Sequence, residues 1–407
     1  MTVLFLNPAG TLGGAERSLL DLIASLFVTA PRLPIALILG GEGPLADEAE
    51  RLGAKVRVLP LPARLARTGD SALAGPLAIA RHAPSLVAAS LELGSYGLAL
   101  RRAMRTFAPT LVHSNGIKTH LLSALLPLRG VPVVWHVRDF IGQRALMAHV
   151  LGAVSWRPAA LLAISKSVAD DIARALGRTD ATVVYNGIDT TRFTADGPQV
   201  DLDALAGLPP APARAVRVGL VATYARWKGQ AHFLDAAARV VRVAGREAAR
   251  FYVIGGRTYA TEDSQFSREE LVSEIGARGL EGVAGLVPFQ REPEGAYRAL
   301  DLVVHASTRP EPFGRTIAEA MACAKPVVAA REGGAAELVT DDVDSLAVTP
   351  RDPEALAGAI LGLLRDPARR ARLGAEARRT ATRRFARDRL GTEVLAAYAR
   401  IGARSLG

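Results

Sequence analysis

At 407 residues the chain exceeds one ordinary domain, and two α/β domains of about 150 to 200 residues each are the natural expectation. With 49% apolar and 22% charged residues, both can bury real cores. The single cysteine, Cys323, excludes an internal disulfide and fits a reducing cytosol with the thiol packed inside, and the net charge of +10 comes with no motif or stacking aromatic series that would suit nucleic acid.

Residues 3–6 read as a buried strand that runs into NPAGTLGGAERSLLDLIASL, a glycine-containing loop followed by an amphipathic helix, with Gly13 and Gly14 at the turn. Loop glycines let a backbone approach a phosphate or sugar closely, and the helix behind them aims its positive end there; a plain structural turn fits equally well. The spacing differs from G-x-G-x-x-G and does not argue for a dinucleotide. Strand-like runs follow at 34–39, 56–59, 110–113, 131–135 and 160–164, separated by helical stretches at about 44–52, 73–107, 117–127 and 166–176. This alternation predicts a doubly wound sheet with helices on both faces. The stretch 61–108 is longer than a crossover requires and is a place for acceptor recognition. His113 in LVHSNG and His136 in VVWHVRD end strands, where a histidine either bonds a ligand or is a satisfied buried group; His113 is read as the latter. Arg138 and Asp139 lie at the same edge as His136, as acceptor contacts or as a mutual salt bridge.

Residues 181–197 read as a last strand and a turn-rich exit, and 191–214 as a linker rich in Pro, Ala and Gly. The second domain opens with VRVGLVATYARWKGQAHFLDAAARV, again strand, loop and helix. Arg226 and Lys228 stand just before the helix start, as a diphosphate clamp or as two surface ion pairs. Further strands are read at 251–254 and 286–289. In DLVVHASTRPEPFGRTIAEAMACAKPVVAAREGGAAELVT, residues 301–340, a strand, a Pro-interrupted turn, a helix, a second strand and a Gly-Gly turn follow in order. Glu311 and Glu319 bracket the turn and helix and can face one pocket at the sheet's carboxyl edge. Between them Phe313, Gly314, Arg315 and Thr316 present main-chain N–H groups that suit a phosphate.

This last stretch resembles the signature of glycosyltransferase family 4, retaining enzymes that use sugar nucleotides and have the GT-B fold. The pattern is Glu311, PFGRTIA, Glu319, then Ala320-Met321-Ala322, Pro326-Val327-Val328-Ala329 and Gly333-Gly334. Pro312 departs from the small residue that the family more often has and stiffens the loop. Gly13-Gly14-Ala15-Glu16, Arg226 with Lys228 and Asn186-Gly187-Ile188-Asp189 resemble further family elements, although a single residue, Trp227, separates the two cations here. His136 resembles the cleft histidine that the family places near the donor sugar, while Asn115 stands where a second histidine is usual.

The resemblance implies two Rossmann-like doubly wound domains facing each other across a cleft. The expected limits are an acceptor-side domain at 1–190, a linker at 191–214, a nucleotide-sugar domain at 215–384, and a last helix at 385–407 crossing back to the first domain. It implies a retaining glycosyltransferase that moves a sugar from a nucleotide-diphosphate sugar to a hydroxyl of a glycan, lipid-linked or small-molecule acceptor. His136 and Glu311 would be catalytic. Gly13, Gly14, Arg226, Lys228, Phe313, Gly314, Arg315, Thr316 and Glu319 would bind the donor, with Asn115, Arg138 and Asp139 on the acceptor side. A sugar-nucleotide epimerase or a non-catalytic sugar-nucleotide-binding protein shares this architecture and stands as the alternative.

No cofactor and no metal is expected: Asp201 with Asp203 and Asp342 with Asp344 form D-x-D strings, but both read as solvated acids. The amino terminus has no cationic leader and no apolar run approaches the roughly 18 residues of a membrane span, so a cytoplasmic protein is expected. Only five of its fifty basic residues are lysines. Basic clusters at Arg64, Arg67, Arg81, Arg101, Arg102 and Arg105, and twelve arginines against four acids over 365–404, could dock peripherally on anionic lipid or could simply be solvated helix faces.

Overall fold

The computed structural model of the chain describes residues 1–62, 83–126, 128, 130–257 and 264–404. Two compact units result, one of Met1–Gly187 with Arg387–Gly407 and one of Ile188–Ala386.

Unit 1 is built on seven parallel strands: β1 (Val3–Asn7), β2 (Ile35–Leu39), β3 (Lys55–Val58), β4 (Leu111–Ser114), β5 (Val133–Val137), β6 (Ala160–Ala163) and β7 (Thr182–Val183). Their order is β3-β2-β1-β4-β5-β6-β7, so the winding reverses between β1 and β4, where such sheets bind ligands beyond their carboxyl ends. Every residue of β1, β2, β4 and β5 is buried, as expected where helices cover both faces of a parallel sheet. Register then places the chemistry. Leu6 pairs with Ser114 and Ser114 with Trp135, so the next residue on each strand, Asn7, Asn115 and His136, emerges side by side. The helices of this unit are α1 (Gly14–Thr29), α2 (Leu45–Arg51), α3 (Ala83–Arg105), α4 (Ile117–Leu125), α5 (Ala145–Ala153) and α6 (Lys166–Leu176). Of the helix expected at 73–107, residues 73–82 lie outside the described residues, as do Arg64, Arg67 and Arg81.

The C-terminal helix, Asp388–Arg404, belongs to unit 1 and lies along α1. Their crossing is tight: the Gly391 amide donates to Ser25 Oγ at 2.8 Å, and Ser25 Oγ donates to the Asp388 carbonyl at 3.2 Å. Val394, Ala397, Tyr398 and Ile401, spaced three and four apart, supply the buried stripe.

Unit 2 has six parallel strands, β8 (Val216–Val221), β9 (Ala249–Gly255), β10 (Ala284–Pro288), β11 (Leu302–His305), β12 (Val327–Ala330) and β13 (Leu346–Val348), ordered β10-β9-β8-β11-β12-β13. The switch here falls between β8 and β11, the strands that lead into Lys228 and Glu311. The segment 191–214, expected as a bare linker, carries α7 (Leu202–Ala206) and folds with unit 2. The remaining helices are α8 (Gln230–Ala244), α9 (Arg268–Ala277), α10 (Glu294–Ala299), α11 (Arg315–Ala322), α12 (Ala335–Leu338), α13 (Pro353–Arg365) and α14 (Pro367–Phe385).

Two acids expected at the surface are not there. Asp203 is buried and accepts from Tyr252 Oη at 2.8 Å and from the Ala211 amide at 2.9 Å. Asp344 is buried and accepts from Thr380 Oγ1 at 2.9 Å and from the Thr340 amide at 2.7 Å. Each satisfied carboxylate fixes a connection. Asp201 instead caps α7, and Asp342 is exposed beside Arg369 and Arg372. Arginines of the C-terminal cluster are also engaged internally. Arg378 donates to the carbonyls of Thr190, Phe193 and Ala322, Arg384 to that of Glu337, and Arg389 to those of Tyr185 and Asn186. No described helix is long and apolar enough to cross a membrane.

Candidate active site

In unit 2 the loop after β8 forms one 3₁₀ turn, Arg226–Lys228, and hands over to α8 through Gly229. Gly229 has a φ of +80°, and a Cβ there would lie 1.9 Å from the Ala306 carbonyl oxygen, so only glycine lets this loop close on the end of β11. Lys228 is thereby brought to Glu311. Its Nζ donates to Oε1 at 2.8 Å and to Oε2 at 2.7 Å, and lies 4.1 Å from the centre of the Trp227 ring. Ser307 Oγ donates to Glu311 Oε2 at 2.9 Å, and His305 Nε2 lies 3.3 Å from the same oxygen. Burial opposes ionisation of Glu311, but Lys228 and His305 outweigh it and hold the carboxyl well below its usual range. The Gly-Gly of the signature has a structural purpose as well. The Gly334 amide donates to the Glu311 carbonyl at 2.6 Å, and a Cβ on Gly333 would come within 2.6 Å of that oxygen.

Glu319 lies one helical turn inside α11 and is 5% exposed. Its Oε1 accepts from Arg315 Nε at 2.7 Å and its Oε2 from Tyr297 Oη at 2.9 Å. Each carboxylate oxygen can accept two hydrogen bonds, so these contacts orient Glu319 and leave capacity for two ligand hydroxyls. Arg315 serves Glu319 with its side chain, and the Phe313 side chain is buried edge-on against Phe385 at 5.9 Å, so main chain is what Phe313 can offer a ligand. Gly314 caps α11, with Thr316 in its first turn, where amides stand outside the helix ladder. Arg226 reaches Glu270 Oε1 at 2.5 Å and lies 4.3 Å from the Phe266 ring centre. Both members of that pair are about half exposed, at 42% and 46%. Such an ion pair is worth little and can be exchanged for a better anion.

In unit 1, Gly13 caps α1 and its amide donates to Glu16 Oε2 at 3.1 Å, so Glu16 folds back over the loop. A Cβ on Gly14 would meet nothing within 4 Å, so the fold itself does not require glycine there. At the switch point, Arg138 Nε donates to Asn115 Oδ1, Arg138 Nη1 to Asn186 Oδ1 at 2.7 Å, and Asn115 Nδ2 to Asn7 Oδ1 at 2.8 Å. Asp139 accepts from the Phe140 amide at 2.9 Å and from Arg144 at 2.7 Å. His136 is 2% exposed; its Nδ1 lies 3.1 Å from His113 Nε2, and its Nε2 is buried with no partner among the described residues. In this conformation a ligand reaches that nitrogen only by displacing what covers it. His113 bonds through both ring nitrogens, the other to Tyr398 Oη at 2.6 Å.

Sequence reasoning missed His305, Ser307, Tyr297, Asn7 and Tyr398. The logic applied to His113 and His136, a histidine ending a buried strand, would have found His305 in LVVH. Nothing local announces Tyr398. Among the described residues, no group of three or more His, Cys, Asp and Glu side chains is placed to hold a metal ion.

Comparison with known proteins identifies the family. Residues 211–380 match the family model described as Glycosyl transferases group 1, and residues 44–192 that of Glycosyltransferase Family 4. The alpha-maltose-1-phosphate synthase of Mycolicibacterium smegmatis is 30% identical over 354 residues, 80% of this chain and 88% of that protein. A D-inositol 3-phosphate glycosyltransferase of Xylanimonas cellulosilytica is 34% identical over 251 residues, 59% of this chain; the match spans only 56% of that relative's length. The crystal structure of Anabaena HepE in complex with UDP-glucose is similar at a TM-score of 0.78 and 25% identity, covering 98% of this chain and 100% of that one. With both units matched in sequence and in fold, the chain belongs to the family 4 glycosyltransferases of GT-B fold.

Proposed function

We propose that this glycosyltransferase moves a hexosyl or related group from a nucleotide-diphosphate sugar to an acceptor hydroxyl with retention of configuration and without a metal ion. The observation that carries the reading is the pair of buried, oriented carboxylates, Glu311 on Lys228 and Glu319 on Arg315 and Tyr297, flanking the start of α11. Glycosyl transfer builds positive charge on the sugar ring and negative charge on the departing diphosphate. Lys228, Arg226 and the main-chain amides from Phe313 to Thr316 supply the countercharge for the diphosphate, the task a metal performs elsewhere. Glu319 takes the ribose hydroxyls. Glu311, kept ionised, holds the sugar hydroxyls and favours the ring cation. His136, by family resemblance, donates a hydrogen bond to the sugar, and the acceptor proton leaves on the diphosphate oxygen. HepE, 25% identical, has been crystallised with UDP-glucose, which makes that donor the first to try. The phosphorylated sugars and inositol in the relatives' names make such compounds the first acceptors.

The test is incubation of the full chain with a panel of nucleotide sugars, with and without acceptor and with EDTA. Transfer or slow donor hydrolysis that gives an α-linked or α-configured product from UDP-glucose, unaffected by chelator, is expected. A β-configured product or EDTA-sensitive turnover would refute the mechanism. An altered sugar nucleotide would identify an epimerase, and tight binding without turnover a binding protein.

A further inference from the structure

The buried polar chain in unit 1 runs from the C-terminal helix to His136 in two contacts, Tyr398 Oη to His113 Nδ1 at 2.6 Å and His113 Nε2 to His136 Nδ1 at 3.1 Å, and Arg138 Nη2 lies 3.4 Å from that same His136 nitrogen. All three aromatic rings are at most 4% exposed. Burial first, and then the Arg138 charge, press both histidines well below their usual range, so each carries one ring proton. Burial raises the Tyr398 phenol, which keeps its proton too.

The protons can then be assigned from the contacts. A guanidinium only donates, so His136 Nδ1 facing Arg138 is an acceptor and the His136 proton sits on Nε2. His113 Nε2, opposite that acceptor, must be the N–H donor. Its Nδ1 is therefore an acceptor, and the Tyr398 hydroxyl donates into it. The reverse order would aim a His136 N–H at Arg138.

We infer that Tyr398 is a positioning residue which, through His113, fixes His136 as the neutral Nε2–H tautomer, able to donate a hydrogen bond at that nitrogen and unable to act there as a base. The inference rests on the reading of His136 as a sugar contact for its consequence, though not for its geometry. A donor-only imidazole suits a sugar oxygen that offers lone pairs.

The test uses the full chain labelled with ¹⁵N-histidine, in the wild type and in Tyr398→Phe, which keeps the ring and removes the hydroxyl. Long-range ¹⁵N–¹H spectra are expected to show His136 protonated on Nε2 in the wild type and a mixture of tautomers at His113 and His136 in the variant. A wild-type His136 protonated on Nδ1, or a His136 unchanged by Tyr398→Phe, overturns the inference. UDP-glucose turnover in Tyr398→Phe is expected to fall about tenfold in kcat with KM nearly constant, the order of one lost hydrogen bond. His113→Gln, whose amide can accept from Tyr398 and donate to His136, should retain more turnover than His113→Leu, whereas a purely packing role would favour Leu. If His136→Ala leaves turnover intact while the His136 tautomer still follows Tyr398, the sugar-contact reading falls and the relay stands.

Discussion

Glu311 receives donors from Lys228, Ser307 and His305 on two oxygens; the carboxylate, Ser307 and His305 are buried, and the Lys228 side chain is 19% exposed. A buried ion pair earns little as a whole, but losing one partner strands the other charge. Lys228→Met alone is therefore expected to destabilise unit 2 by about 3 kcal/mol in denaturant melts. Adding Glu311→Leu should restore most of that stability and no UDP-glucose turnover; a double variant that turns over normally would make the pair structural only. Glu319→Ala should weaken UDP binding by roughly 1 to 3 kcal/mol, because charge-assisted hydrogen bonds to hydroxyls are lost. Calorimetry showing unchanged affinity would remove its assigned role. At this scale the sequence was legible where a side chain sits in a patterned stretch, as Glu311 and Glu319 do. It was not legible where partners are distant. Asp203 is buried because Tyr252 and the Ala211 amide meet it, and Asp344 because Thr380 does, none of which a D-x-D string can show.

At the level of elements, apolar runs located the strands closely, since a strand buried on both faces of a parallel sheet has no polar positions to blur its ends. The short helix Leu202–Ala206 escaped notice because its five residues are set by a cap, Asp201 Oδ1 accepting from the Ala204 amide at 3.0 Å, and by no periodic pattern. The crossing of the C-terminal helix over α1 is likewise written in one residue. A Cβ on Gly391 would stand 2.3 Å from Thr29 Oγ1 and 2.7 Å from the Ser25 carbonyl oxygen. The first atom can rotate away and the second cannot. Gly391→Ala should therefore push the helices apart, costing about 1 to 3 kcal/mol of unit 1 stability by overpacking. Since Tyr398 rides on the same helix, the His113 contact should loosen with it. Hydrogen exchange confined to α1, the C-terminal helix and the end of β4 would verify this, and a variant as protected as the wild type in all three would contradict it.

For the whole molecule, the two units differ in which groups they keep from titrating, and acid should separate them. Unit 1 buries His113, His120 and His136 as neutral rings, all with depressed pKa values and that of His120 lowered to about 3, in each case by burial and then by Arg138. Once unfolded, each returns to its ordinary value near 6.5 and takes up a proton that the folded unit refuses. Stability from these groups is complete above that value and is lost as pH falls below it, by up to about 1.4 kcal/mol per pH unit for each histidine. In unit 2, Glu311 is also depressed, but its unfolded value is that of an ordinary carboxylate. Its contribution persists until pH drops below the carboxylate range and is lost only beneath it. Between about pH 6.5 and 4.5, then, these groups weaken unit 1 alone. The tryptophans allow the units to be followed separately, with Trp135 and Trp156 in unit 1 and Trp227 in unit 2. In a Trp227→Phe variant, the fluorescence-detected midpoint should fall steadily from pH 7 to pH 5. With Trp135 and Trp156 replaced instead, the midpoint should hold across that interval, and His120→Gln should flatten the unit 1 slope by about one histidine's share. Two midpoints falling in parallel would mean that the buried histidines do not set the acid response.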